Sequence, residues 1–184
     1  MYYLLEKNSF QEPRPYRTRS LVEDFALQPS YWISGDIMKM PTDPIKIELW
    51  ERAGNGLSEI FLDSIPLFSN DLVLTLQNAG VDNLQTCPVI LKQPNGNIIN
   101  NYKAVNIVGK IACANKKSSQ YNDPTGTGMI ACNFRKLVID ASKAYGQLFF
   151  RLAEALSSII VHERVKIAVD KMNFKYLNWR ALNE

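Results

Sequence analysis

The chain has 184 residues, a formal net charge of +3, and 46% hydrophobic and 21% charged residues. These are the values of an ordinary folded domain, and they exclude a disordered protein. A domain of this size buries roughly 70% of the surface that its unfolded chain exposes, so it folds without a metal ion or a disulfide. Cys87, Cys113 and Cys132 form no Cys-x-x-Cys pair, and we expect reduced, buried thiols.

The hydrophobic segments are too short to cross a membrane, because none approaches the ~20 apolar residues that a spanning helix needs. Glu6 and Lys7 lie where a secretory signal peptide would carry its apolar stretch. We therefore expect a cytoplasmic protein without a membrane partner. The chain has 1 histidine and no closely paired cysteines, so no metal or other cofactor is expected.

The first third of the chain predicts two strands separated by irregular structure. Residues 2–5 are β-prone, and Pro13 and Pro15 then interrupt any regular element. Residues 45–49 alternate between apolar and polar side chains, which is typical of a strand with one buried face. The pattern therefore predicts a strand, a loop and a second strand.

The middle of the chain predicts a short helix and then a β-hairpin. Ser69 can accept hydrogen bonds from the free N–H groups of a first helical turn, and Gly80 supplies a left-handed stop about three turns later. Residues 84–112 then contain two β-prone arms around Asn95 and Gly96. This dipeptide predicts a type I′ turn, which needs positive φ at both residues.

The last third predicts an exposed loop at residues 115–128, which are polar and rich in turn residues. Three β-prone runs and an amphipathic helix follow, at residues 137–139, 148–152, 158–161 and 165–172. The elements predict an α+β fold: a strand-rich mixed or antiparallel sheet with a few short helices. We expect a single domain, with or without a small N-terminal lobe. The boundary would separate an N-terminal strand and acidic lobe, residues 1–64, from an α+β core, residues 65–184.

No group of residues marks an active site in the sequence. Cys113 or Cys132 could form a nucleophile set with His162 and Asp140, yet nothing in their local sequence indicates an activated thiol. His162 precedes a predicted helix, and a local hydrogen bond at the helix start is the simpler interpretation. A small enzyme of unrecognised type therefore stays one alternative function.

A nucleic-acid-binding regulator is the second alternative. Tyr16, Arg17 and Trp32 are residue types that stack on bases and pair with phosphate, but the segment around them is net acidic. Residues 1–65 hold 7 basic and 10 acidic residues, whereas residues 133–184 hold 9 and 5. These basic residues are interleaved with acidic ones and form no block, so no nucleic-acid partner is expected.

Five blocks of the sequence match, in order, the pattern of one bacterial protein family. They are IPLFS (65–69), AGVDNLQ (79–85), YKAVNIV (102–108), LFFRLAE (148–154) and IIVHER (159–164). On these blocks, and on a similar opening strand at residues 2–4, the chain resembles the bacterial immunity family called Immunity protein eleven. One turn departs from the family pattern, because Ala114 and Asn115 stand where the family has Leu-Asp.

The resemblance implies a protein that is encoded beside a polymorphic toxin and binds it, so that the producing cell is not poisoned. It implies no catalytic residues. It also implies nucleases among the toxins, and an acidic surface that mimics phosphate is the usual inhibitor of a nuclease. Because this chain is slightly basic, either its acidic N-terminal third supplies the contact or inhibition does not use mimicry.

We expect the toxin to contact the poorly patterned N-terminal segment, which combines aromatic, arginine and acidic side chains. Aromatic and arginine anchors dominate protein interfaces, and acidic groups speed association with a basic partner until salt screens them. The candidate partner-binding residues are Arg17, Arg19, Glu23, Asp24, Tyr31, Trp32, Asp36 and Asp43.

Overall fold

Most of the regular structure is strand, as the short β-prone runs of the sequence predict. A computed structural model describes residues 1–20, 28–50, 54–63 and 65–182. The strands are β1 (Tyr2–Lys7), β2 (Arg17–Ser20), β3 (Ile45–Trp50), β4 (Ile60–Phe61), β5 (Leu67–Ser69), β6 (Leu84–Lys92), β7 (Ile98–Ile107), β8 (Lys110–Ile111), β9 (Gln120–Asn122), β10 (Asn133–Lys136), β11 (Phe149–Leu152), β12 (Ala155–His162) and β13 (Leu177–Leu182). The helices are α1 (Pro29–Ile33), α2 (Asn70–Asn78) and α3 (Glu163–Asp170), and a short 3₁₀ helix covers Ala141–Ala144.

The strands form two large sheets and a separate two-stranded ribbon. One sheet has 5 strands in the order β13-β1-β12-β11-β8, in which β8 and β11 run parallel and the other described pairs antiparallel. The other has 6 strands in the order β2-β3-β6-β7-β5-β4, in which β3 and β6 run parallel. Strands β9 and β10 pair with each other. The predicted α+β class, with mixed sheets and short helices, is confirmed.

Alternating side chains bury both faces of the five-stranded sheet. In β12, Ile159 and Val161 join the core that also contains α2 and α3, whereas Ile160 joins a second core on the opposite face. Leu137 and Ile139 pack in that second core. Burial on both faces explains why the sequence of β12 reads as an apolar run and not as a strict alternation.

Helices α2 and α3 start where the sequence predicts, because a side chain accepts a backbone hydrogen bond at each start. Ser69 Oγ accepts from Leu72 N at 3.2 Å, and His162 Nδ1 accepts from Arg164 N at 3.2 Å. The left-handed stop of α2 is also confirmed, with φ 98° at Gly80. None of the helices in the described ranges has the length and apolar character that crossing a membrane requires.

The β6–β7 hairpin forms as predicted, but the predicted type I′ turn is wrong. Gly96 N donates to Gln93 O at 2.9 Å, and Gln93 N donates to Asn97 O at 2.8 Å. Gly96 has φ 87°, whereas Asn95 is not left-handed. This is a type I turn followed by a left-handed glycine. Pro94 decides the difference, because its fixed φ suits the second position of a type I turn.

The polar segment after β8 contains a paired ribbon, so the prediction of a loop across residues 115–128 is wrong in part. Strands β9 and β10 place Tyr121 opposite Phe134, with ring centroids 5.4 Å apart. We name residues 115–136 the β9–β10 ribbon. The Asp123 carboxylate closes its connecting loop by accepting three backbone N–H bonds within that loop.

One residue of the β9–β10 ribbon has a backbone conformation that its side chain disfavours. Ile130 has φ 70°, and Ala131 N donates to Met129 O at 2.8 Å, which closes a three-residue γ-turn. Such a conformation costs about 1–3 kcal/mol at a β-branched residue. Residues outside the ribbon stabilise this turn. Ile130 N donates to Ala153 O at 2.8 Å, and Leu156 N donates to Ile130 O at 3.1 Å.

Residues 1–64 contribute strands to both large sheets. β1 lies in the five-stranded sheet between β13 and β12, whereas β2, β3 and β4 lie in the six-stranded sheet with β5, β6 and β7. The expected division between residues 64 and 65 therefore coincides with no separation of the sheets.

A buried arginine ties α1 to the β11–β12 hairpin. Arg151 is 1% exposed, and it donates from Nη1 to Leu156 O at 2.8 Å and from Nη2 to Trp32 O at 3.1 Å. Within the ranges that the structure describes, no carboxylate forms an ion pair with it. Burial lowers the pKa of Arg151 to about 10, so its guanidinium stays charged at neutral pH and depends on these carbonyl oxygens.

We expect Arg151→Ala to lower the free energy of unfolding by about 3 kcal/mol, because it opens a cavity and leaves two carbonyl oxygens without their donor. Arg180→Ala is the matched control. Arg180 Nη2 lies 3.0 Å from Glu6 Oε1 at the surface, and its loss should cost less than about 1 kcal/mol. Urea unfolding measures both variants, and equal destabilisation would contradict the structural role of Arg151.

The His162 cap predicts that stability depends on pH. Burial lowers the pKa of His162, and the N-terminal ammonium lowers it further. Such a group contributes its full stabilisation above its unfolded pKa, about 6.5, and loses it as pH falls through the lower folded value. We expect the thermal midpoint of the wild type to drop between pH 7 and pH 5 by more than that of His162→Asn, which caps without titrating. Parallel curves for the two proteins would contradict this.

Candidate functional site

The arginine and aromatic residues predicted to bind a partner lie in different environments. Arg17 and Arg19 are exposed on β2, an edge strand of the six-stranded sheet. On α1, Tyr31 is 38% exposed, whereas Trp32 is 0% exposed. Successive helical residues point about 100° apart, so one ring faces outward and the next enters the core. Trp32 therefore packs in the interior and offers no surface to a partner, which corrects its predicted role as an anchor.

The acidic residues of the N-terminal third are mostly engaged with other parts of the chain. Asp36 Oδ1 lies 2.9 Å from Lys110 Nζ, and Asp43 is exposed ahead of β3. Glu23 and Asp24 lie outside the described residues. Four more carboxylates form ion pairs: Glu6 with Arg180, Glu12 with Arg14, Glu48 with Lys92 and Asp63 with Lys7. Much of the acidic excess of this segment is therefore neutralised within the fold.

The loop between β1 and β2 carries an aromatic side chain that sequence reasoning did not single out. Phe10 is 88% exposed, more than any other large hydrophobic residue in the described chain. A signal was present, because Phe10 is an isolated aromatic between Ser9 and Gln11 just ahead of two prolines. An apolar ring in such a polar loop has no core to enter, so most of its surface stays open to solvent.

A tyrosine from the far end of the sequence anchors the β1–β2 loop. Asn8 N donates to Tyr176 O at 2.7 Å, and Tyr176 Oη donates to Pro13 O at 2.7 Å. Gly56 lies beneath this contact, where a Cβ atom would clash with Tyr176 Oη. These hydrogen bonds fix both ends of the loop segment that carries Phe10.

Two clefts flank Phe10, with volumes of about 430 and 420 Å³. Lys7, Ser9 and Phe10 line both of them. The first is completed by Arg14, Pro15, Arg17 and Asp63. The second is completed by Leu4, Leu5, Glu6, Asn8, Leu62, Ser157, Ser158 and Asn178. We name the residues of both clefts the Phe10 surface. Of the predicted partner-binding residues, Arg17 belongs to it.

The first cleft is cationic. Lys7 Nζ lies 3.9 Å from Asp63 Oδ2 and 5.3 Å from the centre of the Phe61 ring. Burial lowers the pKa of Lys7, Asp63 raises it, and Arg17 lowers it again. Arg14 and Arg17 add two exposed guanidinium groups. Arg14 pairs with Glu12 and Lys7 pairs with Asp63, the one carboxylate of the cleft, whereas Arg17 forms no ion pair with a residue of the described ranges. The cleft therefore suits an anionic group of a partner.

The cysteines are free and buried, as predicted. Burial raises the pKa of all three thiols, and for Cys113 burial with the nearby carboxylates raises it to about 12. They are therefore protonated at neutral pH, which is typical of structural cysteines. In the part of the chain that the structure describes, no three His, Cys, Asp or Glu side chains are grouped so as to hold a metal ion.

We expect the thiols to react slowly with Ellman's reagent in the native protein and completely after unfolding, because each is buried and protonated. We also expect replacement of all three cysteines by alanine to leave the function of a folded protein intact. Circular dichroism confirms folding of the variant. A thiol that reacts fast in the native state, or loss of function in a folded variant, would restore a thiol mechanism.

The comparisons with known proteins identify no family. No family model matches the chain, and no curated protein matches it. A functional proposal therefore rests on the sequence blocks and on the surface geometry described above.

Proposed function

We propose that this chain is an immunity protein, which binds a cognate antibacterial toxin in the cytoplasm of the producing cell and neutralises it. The resemblance of five sequence blocks to an immunity family supplies the class of partner. The structural observation that supports the proposal is the Phe10 surface. It combines an exposed aromatic ring, two clefts and a cationic rim, and it needs no catalytic step to inhibit a bound enzyme.

The composition of the Phe10 surface matches what protein interfaces use. A stable interface buries about 1,600 Å² in total, and a few aromatic and arginine side chains supply most of its binding energy. Phe10 is 88% exposed, so nearly all of its ring is available to be buried by a partner. Arg17 lies beside it and can pair with a carboxylate at the edge of the interface.

The charge of this surface changes the expected partner. The sequence favoured recognition of a basic toxin through Glu23, Asp24, Asp36 and Asp43. Asp36 pairs with Lys110. The first cleft beside Phe10 is lined by three cations, of which Lys7 and Arg14 are paired with carboxylates, so Arg17 is the cation left for an anionic group of a partner. We therefore expect the toxin to present an acidic patch to this face.

Co-expression tests the proposed function directly. Each gene adjacent to the one for this chain is expressed in a sensitive host, and toxicity is scored with and without the chain. We expect one neighbour to arrest growth, the chain to restore it, and the two proteins to co-purify. Absence of both rescue and co-purification for every toxic neighbour would contradict the proposal.

Two variants test whether the Phe10 surface makes the contact. We expect Phe10→Ala to weaken toxin binding by about tenfold or more, mainly through faster dissociation, because it removes a central aromatic anchor. Ile37→Ala is the control, since Ile37 is also apolar and 79% exposed. We expect Arg17→Ala to weaken binding more than Arg19→Ala, which removes an exposed arginine of the same strand outside the clefts. Stopped-flow mixing measures the rates, and equal effects within each pair would place the contact elsewhere.

A further inference from the structure

The β9–β10 ribbon carries a group of unpaired positive charges. Lys116, Lys117, Arg135 and Lys136 are exposed, and none forms an ion pair with another residue of the described ranges. Asp123 is the one acidic residue of this segment. Partial desolvation raises the pKa of Asp123, but hydrogen bonds from the loop backbone outweigh it and lower the pKa. The Asp123 carboxylate therefore stays ionised, and four cations against this one anion leave the ribbon net cationic.

Several other cations of the chain are placed differently. Lys7, Lys110 and Lys166 each lie beside a carboxylate within the fold. Pairing of this kind neutralises charge locally and leaves little field outside the protein. The four cations of the ribbon keep their field, which attracts an acidic surface over about a Debye length, ~8 Å at physiological salt.

An apolar side chain projects from the same ribbon. Ile130 is 62% exposed, although its γ-turn is strained. Hydrogen bonds to Ala153 and Leu156 fix this turn on the β11–β12 hairpin. Because the Ile130 side chain is not buried within the chain, its packing does not offset the cost of the strained backbone. A side chain on such a fixed turn loses little conformational freedom when a partner covers it.

The ribbon joins the Phe10 surface along β12. Leu156 holds the Ile130 turn, and Ser157 and Ser158, the next residues of β12, line the second cleft. Adjacent residues of a strand rise by about 3.3 Å, so the backbone positions concerned lie within about 7 Å. One partner can therefore cover both features within an interface of ordinary size.

From this arrangement we infer that the β9–β10 ribbon is a second contact surface for the toxin, and that it binds an acidic patch around an apolar depression that receives Ile130. The inference rests on the proposed function, because its partner is the protein that the chain neutralises. It adds a contact outside the Phe10 surface and an apolar group, Ile130, at the centre of that contact.

A protein partner fits the ribbon better than a nucleic acid does. Protein surfaces that bind single-stranded nucleic acid present free aromatic rings on which bases stack. Here the Tyr121 and Phe134 rings pack against each other at 5.4 Å, and the projecting group is the aliphatic Ile130. An aliphatic side chain fits an apolar depression in a protein, and it gains little from a phosphate backbone.

Charge reversal tests the ribbon, with Lys116, Lys117, Arg135 and Lys136 all changed to Glu. The matched control changes four other exposed lysines to Glu: Lys39, Lys46, Lys171 and Lys175. Both variants have the same net charge, so a difference between them reports position. We expect the ribbon variant to slow association with the toxin about tenfold or more and the control about threefold or less. Equal rates for the two variants would overturn the inference.

Substitution of Ile130 separates contact from structure. Ile130→Gly removes the apolar contact and also relieves the left-handed strain, because glycine tolerates positive φ. We expect the thermal midpoint to rise by about 2 °C while the toxin dissociates about fivefold faster. A raised midpoint with unchanged dissociation would overturn a contact role for Ile130.

Two further probes test the ribbon without the toxin, so their result does not depend on whether the proposed function is correct. Poly-L-glutamate is an acidic polypeptide that needs no toxin, and a 20-residue oligo-dT is the nucleic-acid counterpart. We expect poly-L-glutamate to bind the wild type and the control at least about tenfold more tightly than the ribbon variant. Equal binding by all three proteins overturns the inference even where rescue succeeds. Tighter binding of oligo-dT than of poly-L-glutamate at physiological salt overturns the choice of a protein partner.

Discussion

The pairing of β1 with β12 on one side and β13 on the other is the interaction on which the surfaces of this protein depend. Tyr2 lies opposite His162 in one partner strand and opposite Leu182 in the other. The loop that carries Phe10 leaves the sheet directly after β1, and Tyr176, just before β13, holds it in place. The second cleft is lined by residues of β1, β12 and β13 together. Without this three-strand pairing neither the loop nor the clefts would have a fixed position.

The same chain path explains where the charge lies. Because β1 neighbours β13 and β3 neighbours β6, acidic residues of the first third meet basic residues from later in the chain, as in the Glu6–Arg180 and Glu48–Lys92 pairs. The acidic and basic segments of the sequence are therefore interleaved in space. The β9–β10 ribbon lies outside both large sheets, and its four cations form no ion pair with the described residues.

Local patterns predicted the elements that local interactions determine. The cap at Ser69, the stop at Gly80 and the alternation in β3 all need only neighbouring residues, and each is confirmed. The ribbon was missed because the polar residues of β9 pair through backbone hydrogen bonds without burying an apolar face. The burial of Trp32 depends on α1 and on Arg151, which follows it by 119 residues. The position of the Phe10 loop depends likewise on Tyr176, which is distant in sequence. Of the residues of the Phe10 surface, Arg17 is therefore the one among the predicted partner-binding residues.

The central position of β1 also constrains the order of events during synthesis. β1 has neighbours that are made much later than itself, β12 and β13, so it stays unpaired until residues 155–182 have emerged. During that time all strands of the six-stranded sheet have been made, while the loop that carries Phe10 lacks the paired strands that hold it. A nascent chain thus acquires the Phe10 surface only after β12 and β13 have been made. Fragments that end before Tyr176 would carry Phe10 on an unanchored segment.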